Sequence, residues 1–240
     1  MPDPRVYDTA RGPLPRLAEP FARRARGRRH AEFLALTGAT ETTRILDVGC
    51  GSAGLLGRAP ELDVTGVDLA PRAGYRGRLV VGDAADGLPF ADDEFDLVYC
   101  SSVIEHVPPA RRARFAAECR RVARGWYVQT PAASFPIEPH SLLPAAHWLG
   151  PVLRRSYWRL GAAGDWEDIS LLGRAELESL FGPAIPEWFG PLIKSWISVR
   201  QPESAGAGAG QAGDVVAERG EHEEAEQEGG NRAEANHRGR

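Results

Sequence analysis

The stretch ILDVGCGSAG, residues 45–54, decides how the rest of the chain is read. Its first half is an apolar run. Its second half, Gly49-Cys50-Gly51-Ser52-Ala53-Gly54, is a G-x-G-x-x-G string. Linking a strand to a helix, that string is the dinucleotide fingerprint. A tight turn after a first parallel strand also offers backbone N–H groups to whatever binds there, and glycine lets a ligand approach the backbone closely. Neither property selects the ligand, and a glycine-rich turn that holds nothing stays open at this point.

Five more apolar runs lie outward from the turn. With RILDVGC (44–50) they are DVTGVDLA (63–70), RLVVGDA (78–84), FDLVYCSS (95–102), GWYVQTPA (125–132) and IKSWISVR (193–200). Val, Ile and Leu without clean alternation suit strands buried on both faces. PPARRARFAAECRRVARG (108–125) predicts a helix, with Pro109 in its first turn and Gly125 as its stop. Phe115, Cys119 and Val122 form its apolar stripe, with arginines opposite. The helix after the glycine turn is expected to be short, because Pro60 and Asp63 follow closely. Residues 12–37 are arginine-rich and read as helical from about Arg16; the arginine cluster of 23–29 could bind phosphate or an anionic substrate, with a solvated helix face as the plainer reading. The apolar segment 135–161 reads as an inserted helical cap beyond a strand end. Alternation of strand and helix points to a doubly wound α/β fold, a parallel sheet with helices on both faces.

Composition sets the outer bounds. A chain of 240 residues with 42% hydrophobic side chains builds one α/β domain of ordinary size, assigned to residues 1–200. Residues 201–240 lack aromatic side chains, are acidic, and read as a disordered tail. The formal net charge of −4 gives no field for nucleic acid. No 18-residue apolar run is present, so no membrane span is expected. The N-terminal MPDPRVYDTARGPLP lacks the apolar core of a secretory signal. Cys50, Cys100 and Cys119 have no metal-site or C-x-x-C spacing and read as reduced thiols of a cytoplasmic protein.

Three acids bear on the ligand. Asp47, two residues before Gly49, would repel a pyrophosphate in a poorly screened cleft and suit a cationic ligand. S-adenosylmethionine, with a sulfonium and an ammonium, is such a ligand. Asp68 ends the second strand, where an acid accepts from ribose hydroxyls. Asp83 ends the third, where an acid can accept from an adenine amino group. A turn or cap role is the plain alternative for any one of them.

The order ILDVGCGSAG, VTGVDLA, VVGDA, LPFADDEFDLVYCSSVIEHV resembles the class I S-adenosylmethionine-dependent methyltransferases, in the branch called methyltransferase type 11 or UbiE-like. The resemblance covers residues 44–132, and more loosely 30–200. It implies a Rossmann-like seven-stranded sheet in the order 3-2-1-4-5-7-6 with the last strand antiparallel. It implies Asp47, Gly49 and Gly51 around the methionine part of the cofactor, with Ser101 near the same end. Asp68 would hold the ribose, with Leu69 beside the adenine. Asp83 would accept from the adenine amino group and Ala84 would supply a backbone N–H. Ala53 stands where the family usually has glycine. The segment QTPAASFPIEPHSLLPAAHWLG (129–150) is similar to that of a bacterial subset. The implied partner is a small-molecule or carrier-bound acceptor, with no nucleic acid.

His106 and His140 follow the fourth and fifth strands and are the candidate general bases. Packed polar side chains are the alternative for both, and Glu105, Glu138 and His147 are weaker candidates. The six tryptophans read as core or cap packing. Two rival functions stand beside methyl transfer. One is a nicotinamide-dependent oxidoreductase, against which Asp47 and Asp83 argue. The other is a non-catalytic cofactor-binding protein on the same fold. A nucleic-acid methyltransferase is disfavoured, because neither an N-P-P-Y tetrapeptide nor a basic domain is present.

Overall fold

A computed structural model of the chain describes residues 27–138, 140–161 and 169–202. The expected tail beyond residue 202, and the expected helix before residue 27, lie outside the described residues. Seven strands form one sheet: β1 (Arg44–Val48), β2 (Asp63–Asp68), β3 (Arg78–Val81), β4 (Phe95–Ser101), β5 (Ala123–Pro131), β6 (Ala184–Phe189) and β7 (Leu192–Arg200). Their order is 3-2-1-4-5-7-6, with β1 to β5 parallel and β7 antiparallel to both β5 and β6. This is the Rossmann-like order that the resemblance implies.

β6 is missing from the apolar runs read in the sequence. Pro186 interrupts AIPEWF, and a proline inside a run argues against a central strand. β6 is an edge strand paired only with β7, so one missing N–H is tolerated.

The described helices are α1 (27–37), α2 (Arg112–Val122), α3 (Pro151–Trp158) and α4 (Arg174–Phe181). α2 and α4 pack on one face of the sheet and α1 on the other, while α3 packs within the cap. One apolar layer joins Phe115, Cys119 and Val122 of α2 and Leu177 and Phe181 of α4 to Leu46, Val98 and Val128 of the sheet. The other seats Phe33 of α1 on Ile45, Leu97, Tyr99 and Tyr127. Tyr99 and Tyr127 stack at 5.6 Å, and Phe33 meets each of them edge-on. Cys50, Cys100 and Cys119 are all buried free thiols.

Three expectations are corrected. The helix before β5 opens with a 3-10 turn at Pro109–Arg111 and ends at Val122, because Ala123 is already extended. Gly125 therefore does not stop a helix; it lies within β5. A Cβ there would sit 2.5 Å from the Arg200 carbonyl oxygen and 2.7 Å from the Pro202 nitrogen, so the glycine serves a close backbone approach. After β1 the chain makes turns through residues 51–58 rather than a helix, held by Gly57 N–H to Ala53 O and Ala59 N–H to Leu55 O. Gly51 and Gly54 carry φ of +60° and +53°, outside helical geometry.

The cap is only partly helical. Pro136, Pro139 and Pro144 remove donors from its first half. That half makes an isolated bridge between Ile137 and Pro144 and a 3-10 turn at Ala146–Trp148, and α3 follows. Trp126 and Trp158 pack inside as expected, whereas Trp148 and Trp188 are more than half exposed. Trp166 lies outside the described residues.

Candidate active site

The C-terminal ends of β1 to β5 share one edge of the sheet, where open α/β sheets bind ligands. The runs read as strands each stop short there. Gly49-Cys50, Leu69-Ala70 and Gly82–Ala84 leave the ladder and become loop. Gly49 and Cys50 donate N–H bonds to Val67 O at 2.8 and 3.2 Å, which folds the turn onto β2. Gly49 has a φ of +73°, and a Cβ on it would lie 2.9 Å from Val103 Cγ1 and closer still to Cγ2. A side chain is excluded at this position twice, by conformation and by space.

The structure brings the strand-end acids to this edge. Asp47 is buried, and its Oδ2 accepts from Leu55 N–H at 2.6 Å. Burial pushes its carboxyl up to about 7; Asp68 adds in the same direction, while the Leu55 N–H and Arg58 oppose. Asp68 is also buried. Its Oδ2 accepts from Gly51 N–H at 2.8 Å, and its Oδ1 pairs with Arg72 at 2.7 Å. Leu69 beside it is half exposed, an apolar surface open to a flat ligand. Asp83 accepts from Ala85 N–H at 2.8 Å and pairs with Arg111 at 3.0 Å, while Ala84 is buried. Ser101 donates to Gln129 Oε1 at 2.8 Å and accepts from Arg29 Nη1 at 3.2 Å.

Arg29 is one of the cluster 23–29 and is not distinguished from its neighbours in the sequence. Within an arginine-rich run it looks like one more solvated cation. The fold carries it 72 positions along the chain to the end of β4, where its Nε is buried without a hydrogen bond among the described residues.

The two histidines meet. His106 lies in the 3-10 turn Ile104–His106 after β4, and His140 lies in the cap; their rings are edge to face at 4.9 Å. Glu138, fully buried, accepts from His140 Nδ1 at 2.8 Å and from the backbone N–H groups of His140 and Ser141. Burial acts to raise its carboxyl, but His140 and Ser141 hold it below the usual carboxylate range. Glu105, also fully buried, accepts from Thr130 at 3.1 Å, and burial raises its carboxyl. Both acids look weaker than the histidines in the sequence, yet they frame them. His147 lies apart from this pair: its Nε2 is 3.0 Å from the Ala133 carbonyl, and burial lowers its pKa.

A cavity of about 290 Å³ opens between the cap and the segment after it. Glu138, His147, Trp148, Arg154 and Trp158 are among the residues that line it. Glu138 thus touches both the cavity and His140. No helix among the described residues is long and apolar enough to cross a membrane.

Residues 46–125 match the family model described as methyltransferase domain. Among solved structures, the PH0226 protein of Pyrococcus horikoshii is similar at 17% identity and a TM-score of 0.52, over 84% of this chain and 97% of that one. A methyltransferase of Archaeoglobus fulgidus aligns over 60% of this chain and 71% of that one, at 21% identity and a TM-score of 0.42. A Burkholderia thailandensis 1,6-didemethyltoxoflavin N1-methyltransferase, solved with S-adenosylhomocysteine, aligns over 71% and 74%, at 14% and 0.48. The chain spans 45 to 51% of the length of three other matched structures. The strand order, the similarity to the Pyrococcus fold and the match over residues 46–125 agree. Residues 46–125 are thus similar to a methyltransferase domain and lie in a sheet of the Rossmann-like order, consistent with the class I S-adenosylmethionine-dependent methyltransferases of the type 11 branch.

Proposed function

We propose that the protein transfers a methyl group from S-adenosylmethionine to a small molecule or to a metabolite held on a carrier. The observation that carries this reading is the row of Asp47, Asp68 and Asp83 along one sheet edge, around a turn too tight at Gly49 for any side chain. A carboxylate has about four acceptor sites. Gly51 N–H and Arg72 use two of those on Asp68, leaving room for two ribose hydroxyls. Leu69 would cover the adenine, Asp83 would take its amino group, and Ala84 would donate its backbone N–H. Asp47, Gly49, Gly51 and Ser101 would surround the methionine part, and Arg29 would face its carboxylate. Where it is ionised, Asp47 also speaks against a nicotinamide cofactor, whose pyrophosphate it would then repel.

The cofactor, when bound, supplies the methyl group itself. The chain then needs to place an acceptor in line with it and to exclude water. His106 and His140 are the proposed catalytic residues on the acceptor side, and the cavity under the cap is the proposed route of entry. The proposed domain spans residues 1–200, with 135–161 as its cap. Three buried reduced thiols suit a cytoplasmic setting.

The test uses the purified chain and S-adenosylmethionine carrying a labelled methyl group. Fractionated small-molecule and carrier-bound extracts serve as acceptors. Label should pass to at least one fraction, and Asp68→Ala should reduce the transfer about tenfold or more. Cofactor binding without transfer to any fraction would favour the non-catalytic alternative.

A further inference from the structure

Glu105, His106 and His140 each present one donor atom, and the three atoms lie within 4.8 Å of one another. They come from two separate elements, the turn after β4 and the cap. Glu105 Oε1 is buried and has no hydrogen bond among the described residues, although Oε2 is held by Thr130. A bare carboxylate oxygen inside a protein is costly without a proton donor or a cation. His140 Nε2 lies 3.8 Å from this oxygen, beyond hydrogen-bond reach. Two ligands bound tetrahedrally at about 2.0–2.2 Å to one ion stand about 3.3–3.6 Å apart, so the group would close slightly around an ion.

The other side of His140 is arranged in the same sense. Glu138 Oε1 lies 2.8 Å from Nδ1 and accepts from it when ionised, so a neutral ring would keep its lone pair on Nε2, the nitrogen 3.8 Å from Glu105 Oε1. A carboxylate behind a histidine, opposite the ligating nitrogen, is the usual support of a metal-bound imidazole. Glu138 is itself locked by the backbone N–H groups of His140 and Ser141, so the imidazole orientation is set by the cap's own turn.

We propose that Glu105, His106 and His140 form a site for one divalent transition-metal ion of the zinc type. Imidazole nitrogens select such ions over magnesium or calcium, which prefer all-oxygen shells. Three protein ligands leave a fourth position for water or for an acceptor oxygen. Glu105 sits two residues after Val103, which packs against Gly49, so the ion would lie on the cofactor edge of the sheet.

Untagged full-length protein, stripped with a chelator, is titrated with Zn²⁺ by calorimetry and with Co²⁺ by visible absorption. The expected result is one saturable equivalent with tetrahedral or five-coordinate cobalt bands, unaffected by excess Mg²⁺. His106→Ala and Glu105→Gln should each weaken Zn²⁺ binding at least tenfold. Each variant should also be checked for a wild-type near-ultraviolet dichroism spectrum; His106, only half-buried, is the safer of the two for folding. Absence of saturable Zn²⁺ binding by the wild type would overturn the proposal. So would equal affinity in a folded His106→Ala variant, which would place the ion elsewhere on the chain. Neither readout involves the methyl donor, so failure here leaves the methyl-transfer reading intact, and the reverse holds too.

Discussion

Gly49→Ala is expected to abolish measurable S-adenosylhomocysteine binding and to lower the melting temperature by several degrees. The residue has a φ of +73°, which costs an L-residue roughly 1–2 kcal/mol. The added Cβ also meets both γ-methyls of Val103, and neither it nor the turn can withdraw easily, because Gly49 N–H is tied to Val67 O. Relief requires the turn to lift from β2, and that turn carries the Gly51 N–H that orients Asp68. Gly51→Ala is the internal control. Gly51 has a φ of +60°, but a Cβ there would meet nothing within 4 Å. It should lose stability by conformation alone and keep most of its affinity. Equal losses in the two variants, by thermal melting and calorimetry, would show that the contact with Val103 is unimportant.

The second large effect is on pH. Asp47 holds its proton to about pH 7 in the folded chain, chiefly because it is buried, against about 3.9 when unfolded. A folded-state pKa above the unfolded value gives stability that is complete below about pH 4 and is lost as pH rises through 7. The ligand-free protein should therefore melt at a lower temperature at pH 8 than at pH 5.5, and Asp47→Asn should flatten that part of the profile. A cofactor ammonium near Asp47 favours the ionised carboxyl, so binding should release a proton near pH 6 and strengthen about tenfold between pH 6 and 8. Calorimetry in buffers of different ionisation enthalpy measures that proton directly. The same release in the Asp47→Asn variant would assign it to another group.

Much of the fold is legible in the sequence because both-face burial leaves a strong mark. Ile45, Leu46 and Val48, or Leu97, Val98 and Cys100, each mark a central strand. The ends of those runs are less legible, by two or three residues, since Gly49, Leu69 and Ala84 are as apolar or as small as the strands they follow yet serve the loops. β6 is hidden because Pro186 is excluded from central strands and tolerated at an edge, and sequence alone does not say which a run will be. Gly125 misleads for the opposite reason. A glycine after a helix is a common stop, and here the partner backbone lies 75 positions later, at Arg200.

Asp47, Asp68 and Asp83 are readable because each stands at or just past the C-terminal end of its own strand. His106 and His140 are readable singly for the same reason, but not as a pair in contact. Their buried partners Glu105 and Glu138 look ordinary, since a glutamate in a loop normally faces water. Arg29 is hidden by its neighbours. Nothing in a run of arginines marks the one that reaches Ser101.

The central claim is that this edge holds S-adenosylmethionine with its ribose on Asp68. Calorimetric titration of the wild type and of Asp68→Ala, each with S-adenosylhomocysteine and with NADH, tests it most directly. The hydrogen bonds to a charged acceptor removed by the substitution are each worth roughly 1.5–3 kcal/mol. The wild type should bind S-adenosylhomocysteine and show little or no affinity for NADH, and Asp68→Ala should weaken S-adenosylhomocysteine about tenfold or more. Unchanged affinity in the variant, or NADH bound as tightly as S-adenosylhomocysteine, would contradict the account.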